Sequence, residues 1–401
     1  MLRDSPIRDC AIGVAIAAAL AIIACGGASP TGNNPPPRRA CDPPGIPVTY
    51  YVDVTTGADS NPGTTALPFR SIQQAANVVK PADTVIVRDG IYTGGNGAIL
   101  DVEHCGTAGH VIVFMAEHQW GAVLDGQNNT STTGVKFGAS FVRVQGFEIR
   151  GVSRYGFDMA AGAVNNLEIA GNHIHHVGRY CTDGTGGISG MSIGDDDILV
   201  ERNLIHDIGR LAPGENGCNP STDNWQNHDH GLYIASGTNI LVRNNIFYNI
   251  THGWPIHRYS GDGIQVDSLL ILNNTFAFAN PNKVGQIIIS TPTNHLVIEN
   301  NIFYQPLGAG ILFNASVSNV TVANNLASGS LSSAAPLGIA ITGNQENTDP
   351  LFVNATGFDF HLQQTSPAIG AGLSLPNVPN DFDGAARPQA GAYDIGAYQF
   401  K

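Results

Sequence analysis

Asparagine recurs at one point of a repeating pattern: Asn172, Asn203, Asn245, Asn274, Asn301 and Asn325. The residue three places before each is β-branched (Ile169, Val200, Val242, Ile271, Ile298, Val322), and a large, usually apolar residue follows within two places. The spacings are 31, 42, 29, 27 and 24 residues. A constant unit with inserts of variable length marks a stacked-coil architecture. Neighbouring coils in such a stack lie about 4.8 Å apart. An asparagine turned inward at each bend can bond its amide to the rungs above and below. That satisfies backbone groups a buried turn leaves unpaired. The asparagines are therefore read as structural, and function is expected where the inserts and odd polar residues gather.

A solenoid lets one long core absorb most of the 401 residues. Charged residues make up only 13%, there are 48 glycines, and no long amphipathic helical pattern appears. Short strands and tight turns follow from that composition. The formal net charge is −13, with four lysines (Lys80, Lys136, Lys283, Lys401). No nucleic-acid partner is expected, since that requires a basic stripe. A polyanionic substrate would need local arginines or a bridging cation.

The N-terminus reads as a targeting segment. Arg3 and Arg8 precede an apolar run from Ala11 to Ala24, too short to span a bilayer. Ile22-Ile23-Ala24-Cys25 followed by Gly26 resembles a bacterial lipoprotein lipobox, which implies lipid attachment at Cys25 and a membrane anchor. The plainer alternative is a signal peptide cleaved nearby. Residues 1–25 are thus the signal and 26–48 a Pro/Gly-rich tether, giving an exported, surface-held chain. Four cysteines remain, an even number that suits disulfides in an exported protein. Cys181 and Cys218 fall at the same corner of adjacent coils and make the natural pair, leaving Cys41 with Cys105. A cysteine metal site lacks the close spacing it needs.

Thr49–Val54 alternates like a strand, Phe69 to Val79 carries one helical face, and Thr84–Arg88 is a further strand. Tyr50-Tyr-Val-Asp, Gly57-Ala-Asp-Ser-Asn-Pro-Gly-Thr, Pro68-Phe-Arg-Ser-Ile-Gln-Gln-Ala and Asp83-Thr-Val-Ile-Val-Arg-Asp-Gly-Ile-Tyr resemble the opening of secreted right-handed parallel β-helix proteins. That group includes pectate-lyase-like and alginate-lyase-like enzymes. Asp359-Phe-His-Leu, Ser366-Pro-Ala-Ile-Gly, Asp381-Phe-Asp-Gly and Asp394-Ile-Gly-Ala-Tyr resemble their C-terminal segment. The resemblance implies an all-β, right-handed parallel β-helix over 49–343. An N-terminal helix would cap the coils, and 344–401 would form a C-terminal cap.

The strands before the asparagines align as Gly156-Phe-Asp-Met, Gly190-Met-Ser-Ile, Gly231-Leu-Tyr-Ile, Pro255-Ile-His-Arg, Gln286-Ile-Ile-Ile and Gly310-Ile-Leu-Phe. Alternation turns Phe157, Met191, Leu232, Ile256, Ile287 and Ile311 inward. The outward column is Asp158, Ser192, Tyr233, His257, Ile288 and Leu312, polar in its first four coils and a plausible sugar-binding stripe. The longest interval ends in Asp223-Asn-Trp-Gln-Asn-His-Asp-His-Gly-Leu-Tyr233, and the register places His257 over Tyr233.

Imidazole titrates near neutrality and a phenol can donate or accept a proton. His230 is the first candidate base and Tyr233 the acid, or the reverse, with His228 and His257 beside them. Arg258 would pair with a uronate carboxylate. Lys283, one coil on, is a further candidate, and Trp225, Trp254, Tyr259 and Asp158 are candidate substrate contacts. The set suits removal of the C5 proton of a uronic acid, followed by elimination or epimerisation. His-Gly-Leu-Tyr and Gly-Trp-Pro-Ile-His resemble patterns in β-helix proteins of unassigned activity. Asn227-His-Asp-His230 lacks the proline of the Asp-Pro-His-Asp run in alginate epimerases of this fold.

The leading expectation is a polysaccharide lyase. A glycoside hydrolase would need two facing carboxylates, for which Asp158 and Asp229 are the candidates. A non-catalytic carbohydrate-binding or adhesin-like protein would show aromatic platforms and no base. Asp195, Asp196 and Asp197 form an acidic turn, with Asp183, Asp223, Asp229, Asp262 and Asp267 in the same half, and such oxygen-rich clusters can take Ca²⁺. A zinc site from His228, His230 and His257 lacks a recognised spacing. A monomer is expected.

Overall fold

The computed structural model describes residues 41–401 apart from 160–163, 182–186, 220–227, 262, 279, 282 and 333–338. The signal segment, Cys25, residues 26–40 of the tether, Asp183, Asp223, Trp225 and Asp262 lie outside the described residues. Among the described residues, no helix is long and apolar enough to cross a membrane.

The chain winds through three parallel sheets of eleven, nine and eight strands among the described residues. One coil shows the pattern. Asp229–Ile234 lies in the eight-stranded sheet, Thr238–Arg243 in the eleven-stranded sheet, and Ile246–Tyr248 in the nine-stranded sheet. The next coil repeats it with Ile256–Arg258, Val266–Leu272 and Thr275–Ala277. Strands alternate buried and part-exposed residues, as in Val142–Gln145, and the buried set forms one core along the stack. Phe247, Phe276 and Phe303, each two places after a rung asparagine, are fully buried. Their rings stack with centroids 5.2 Å apart.

The asparagines sit at the bend between the eleven- and nine-stranded sheets. Asn245 Oδ1 accepts from the backbone N–H and the amide of Asn203, both at 2.9 Å. Its own amide donates to Val200 O at 2.9 Å and to Asn274 Oδ1 at 3.0 Å. The motif continues to a seventh rung, Asn344, whose Oδ1 accepts from the N–H of Asn325 at 2.8 Å. The residue before each rung adopts positive φ: 63° at Gly171, 54° at Arg202, 53° at Asn244, 52° at Asn273, 57° at Asn300 and 51° at Asn324. This explains the doubled asparagines. The first tolerates the left-handed conformation that glycine and asparagine visit most easily, and the second makes the ladder.

The N-terminal helix is shorter than its apolar face predicts. It spans Ile72–Ala76, with Ser71 Oγ accepting from the N–H of Gln74. Phe69 and Val79 are buried in the core but lie outside the helix.

Residues beyond the seventh rung run back along the flank. Phe352, Phe360, Leu362, Ile395 and Tyr398 pack on Ile246, Tyr248, Ile302 and Leu326 of the nine-stranded sheet. Buried Arg387 donates to Asn244 Oδ1 at 2.9 Å. Both disulfides form: Cys41–Cys105 and Cys181–Cys218, with Cα atoms 5.4 and 5.3 Å apart.

Candidate active site

The outer face of the eight-stranded sheet carries a cleft of about 520 Å³ at the strands expected to hold the site. Register places it there: Ser192 pairs with Tyr233, Tyr233 with His257, and His257 with Ile288. Its walls include Tyr155, Tyr233, Trp254 and Tyr259, with His228, His230, His257, Ser290 and Asn314 between them. No described lining residue is Asp or Glu.

A directed chain of hydrogen bonds fixes the imidazoles. The backbone N–H of Trp254 donates to His230 Nδ1 at 3.2 Å, so that nitrogen holds a lone pair. Neutral His230 then carries its proton on Nε2 and donates to His257 Nδ1 at 3.0 Å. His257 is left with Nε2–H, 3.2 Å from Ser290 Oγ on the cleft wall. The tautomers follow from this network. Burial, reinforced by neighbouring imidazoles, holds His230 well below the usual range. Burial, with His228 and Arg258 adding to it, lowers His257 to about 4. Both rings are therefore neutral at pH 7, and His257 presents a donor. Both nitrogens of His230 are engaged by protein, and the ring is 3% exposed.

The aromatic frame is close. Tyr233 meets His257 edge-on with centroids 5.5 Å apart, and Tyr259 stacks on His257 at 5.6 Å. Trp254 stacks on His230 and donates its Nε1–H to Val284 O at 2.9 Å. His228 is exposed in the cleft.

Other expected members are placed elsewhere. Arg258 is fully buried, and its guanidinium donates to the backbone carbonyls of Ala235, Ile264 and Pro292. The alternation that turns His257 outward turns Arg258 inward, so the expected carboxylate clamp is corrected to an internal brace. Asp229 is also fully buried. Arg210 Nη2 donates to its Oδ1 at 2.8 Å, and the N–H of Arg210 to Oδ2 at 2.7 Å. It anchors the insert and faces no groove. Asp158 occupies the outward column and burial raises its pKa, but it does not line the cleft. Lys283 lies in the loop beside Val284 and does not line the cleft either.

The acidic turn does not fit a calcium cage. Asp195 Oδ2 accepts from the N–H of Val164, Asp196 Oδ1 from Thr238, and Asp197 Oδ1 from Asn239, each stitching a different neighbour. Ca²⁺ needs six to eight converging oxygens.

Two further features stand out, of which Arg154 carried no signal in the sequence and His173 and His175, just past a ladder asparagine, read there as structural. Exposed Arg154 lays its guanidinium 5.3 Å from the ring centre of Tyr155, at the cleft rim. A second histidine group, His173, His175 and His206, lies on the nine-stranded sheet, where burial first and the mutual repulsion of the rings second lower His173 and His175 to about 3.

The three stacked sheets define a right-handed parallel β-helix protein. Residues 50–199 match the family model described as "Pel9A-like, right handed beta helix region". The crystal structure of pectate lyase Pel9A superposes with a TM-score of 0.59 at 15% identity, covering 88% of this chain and 96% of that one. A structure titled glycoside hydrolase gives 0.51 at 8% identity, covering 79% and 99%. An uncharacterized protein of Bacillus subtilis (strain 168), YwoF, is 25% identical over 149 residues, 37% of this chain. The matched stretch spans 28% of that curated relative.

Proposed function

We propose that the chain is an exported, surface-anchored polysaccharide lyase that cleaves uronate-containing chains by β-elimination in the cleft around Tyr233 and His257. One observation carries the reading. A fixed relay aims a neutral His257 Nε2–H into a cleft walled by four aromatic rings, with no carboxylate among its described lining residues. Hydrolysis of a glycoside ordinarily uses a pair of carboxylates. Elimination needs a proton taken from C5, charge stabilised on the adjacent carboxylate, and a proton returned to the leaving oxygen as the C4–O bond breaks.

His257 Nε2–H donates to the substrate carboxylate, where negative charge grows as C5 loses its proton. Tyr233 and exposed His228 carry the protons. His230 positions His257 and touches no substrate. Trp254 and Tyr259 provide the apolar platform on which a sugar face packs, and Arg154 supplies the cation at the rim. The two disulfides accord with an oxidising compartment, and Cys25 supplies the anchor. The similarity to a structure titled pectate lyase supports the reaction class as an expectation.

The test is incubation with a panel of uronate polysaccharides, following ultraviolet absorbance of the unsaturated ends. Tyr233→Phe is expected to lower kcat by about 10²–10⁴-fold with unchanged circular dichroism. New reducing ends without absorbance would make the protein a hydrolase. C5 inversion without cleavage would make it an epimerase. Binding without turnover on every uronan would leave a carbohydrate-binding protein.

A further inference from the structure

We propose that His173, His175 and His206 bind a divalent transition-metal ion of the zinc class, at a site on the nine-stranded sheet separate from the cleft. Strand alternation turns His173 and His175 to the same outer face. Register sets His206 of the next coil beside His175. One imidazole nitrogen from each of the three lies within 4.8 Å of the others.

The network around them has the form of a metal site holding a proton in place of the ion. His206 Nδ1 donates to Asp207 Oδ2 at 2.7 Å, which leaves the Nε2 of a neutral His206 as a lone pair. That nitrogen is 2.8 Å from His173 Nε2, so one shared proton holds the two rings together. A cation takes the place of that proton when His173 shifts to its Nδ1–H tautomer, so the ring stays neutral and the Asp207 bond is undisturbed. A carboxylate behind the ligating ring is the usual means of fixing its tautomer.

Tyr248 stacks flat on His206 at 4.4 Å and Trp120 packs on His173 at 4.9 Å, which limits the rotation of both rings. Glu148 Oε1 lies 3.3 Å from His175 Nε2 and is paired with Arg150. It or water would complete four-coordination. Tetrahedral Zn–N bonds of about 2.05 Å place ligand nitrogens about 3.3 Å apart. The present separations reach that spacing by ring movements of about 1.5 Å or less.

The experiment uses the untagged protein, stripped with chelator and titrated with ZnCl₂ by calorimetry. One ion per chain is expected. His206→Gln is expected to weaken binding by more than about 100-fold and Asp207→Asn by about 10–100-fold, the range typical of second-layer carboxylates. His257→Gln should leave zinc affinity unchanged. Zinc should also raise the unfolding temperature of the wild-type chain and not of a His173→Gln/His206→Gln double variant. X-ray absorption on the zinc-loaded wild-type protein needs no variant and should show three imidazole nitrogens. No binding by the folded wild type, fewer than three imidazoles, or undiminished affinity in His206→Gln would overturn the assignment.

Discussion

Asn245→Ala removes an interior rung of the ladder, and its cost can be worked from the bonds. The fully buried side chain donates to Val200 O, Arg243 O and Asn274 Oδ1, and accepts from the N–H and the amide of Asn203. Some partners keep other bonds. Asn274 Oδ1 still accepts from the N–H of residue 245 at 2.9 Å, and the Asn203 amide still donates to Ile169 O at 2.9 Å. The Asn203 N–H and the Val200 carbonyl lose their ladder partner. A buried polar group left without its partner costs about 1–3 kcal/mol, so the variant should lose about 4 kcal/mol. Asn344→Ala removes the last rung, which is only half-buried. Water replaces its bonds, and the loss should stay below about 1 kcal/mol. A coil stack can unfold in parts. The assay therefore pairs guanidinium midpoints with hydrogen exchange at the Asn203 amide, which should quicken in Asn245→Ala alone. Equal losses in the two variants, or an Asn245→Ala protein within about 0.5 kcal/mol of wild type, would refute the ladder's structural role.

Arg202 precedes a rung at φ 54°, where the other coils use Gly or Asn. Arg202→Gly should stabilise the fold by about 1 kcal/mol in thermal unfolding, since its buried partner Glu201 keeps the ion pair with Arg243. The Cys181–Cys218 bridge closes a 37-residue separation. Replacing both cysteines by serine should cost about 4 kcal/mol by loop-closure entropy, read as a lower denaturant midpoint. His257 is lowered to about 4 by burial. The unfolded chain takes up a proton near pH 6.5 that the folded chain refuses until about pH 4, so stability is full above pH 6.5 and falls as pH drops through that window. The loss should approach about 3 kcal/mol, and His257→Gln should flatten this part of the pH–stability curve.

Much of this molecule is legible in the chain because a solenoid repeats one local rule. The asparagine spacing set the register of Tyr233 on His257 and the Cys181–Cys218 pair, since both depend only on counting along coils, and Cys41–Cys105 followed by elimination. Asn344 escaped because its interval shrinks to 19 residues. The helix proved short because an apolar face continues past the residues that hold helical geometry: Phe69 and Val79 are buried without being helical. Charge misled the reading of Arg258 and Asp229. Charged side chains are normally outward, yet these two are inside because backbone carbonyls and Arg210 receive them. His230 looked like a free base in sequence. Only the backbone N–H of Trp254, supplied by the following coil, shows that its nitrogens are already committed.

The most direct test of the central claim is to locate a bound saccharide. Crystals of Tyr233→Phe, which should hold substrate without cleaving it, are soaked with an oligomer of the uronan the wild-type protein binds. The expected result is a sugar packed on Trp254 and Tyr259, with its carboxylate within hydrogen-bonding distance of His257 Nε2. A saccharide held on another face, with the cleft left open, would contradict the account.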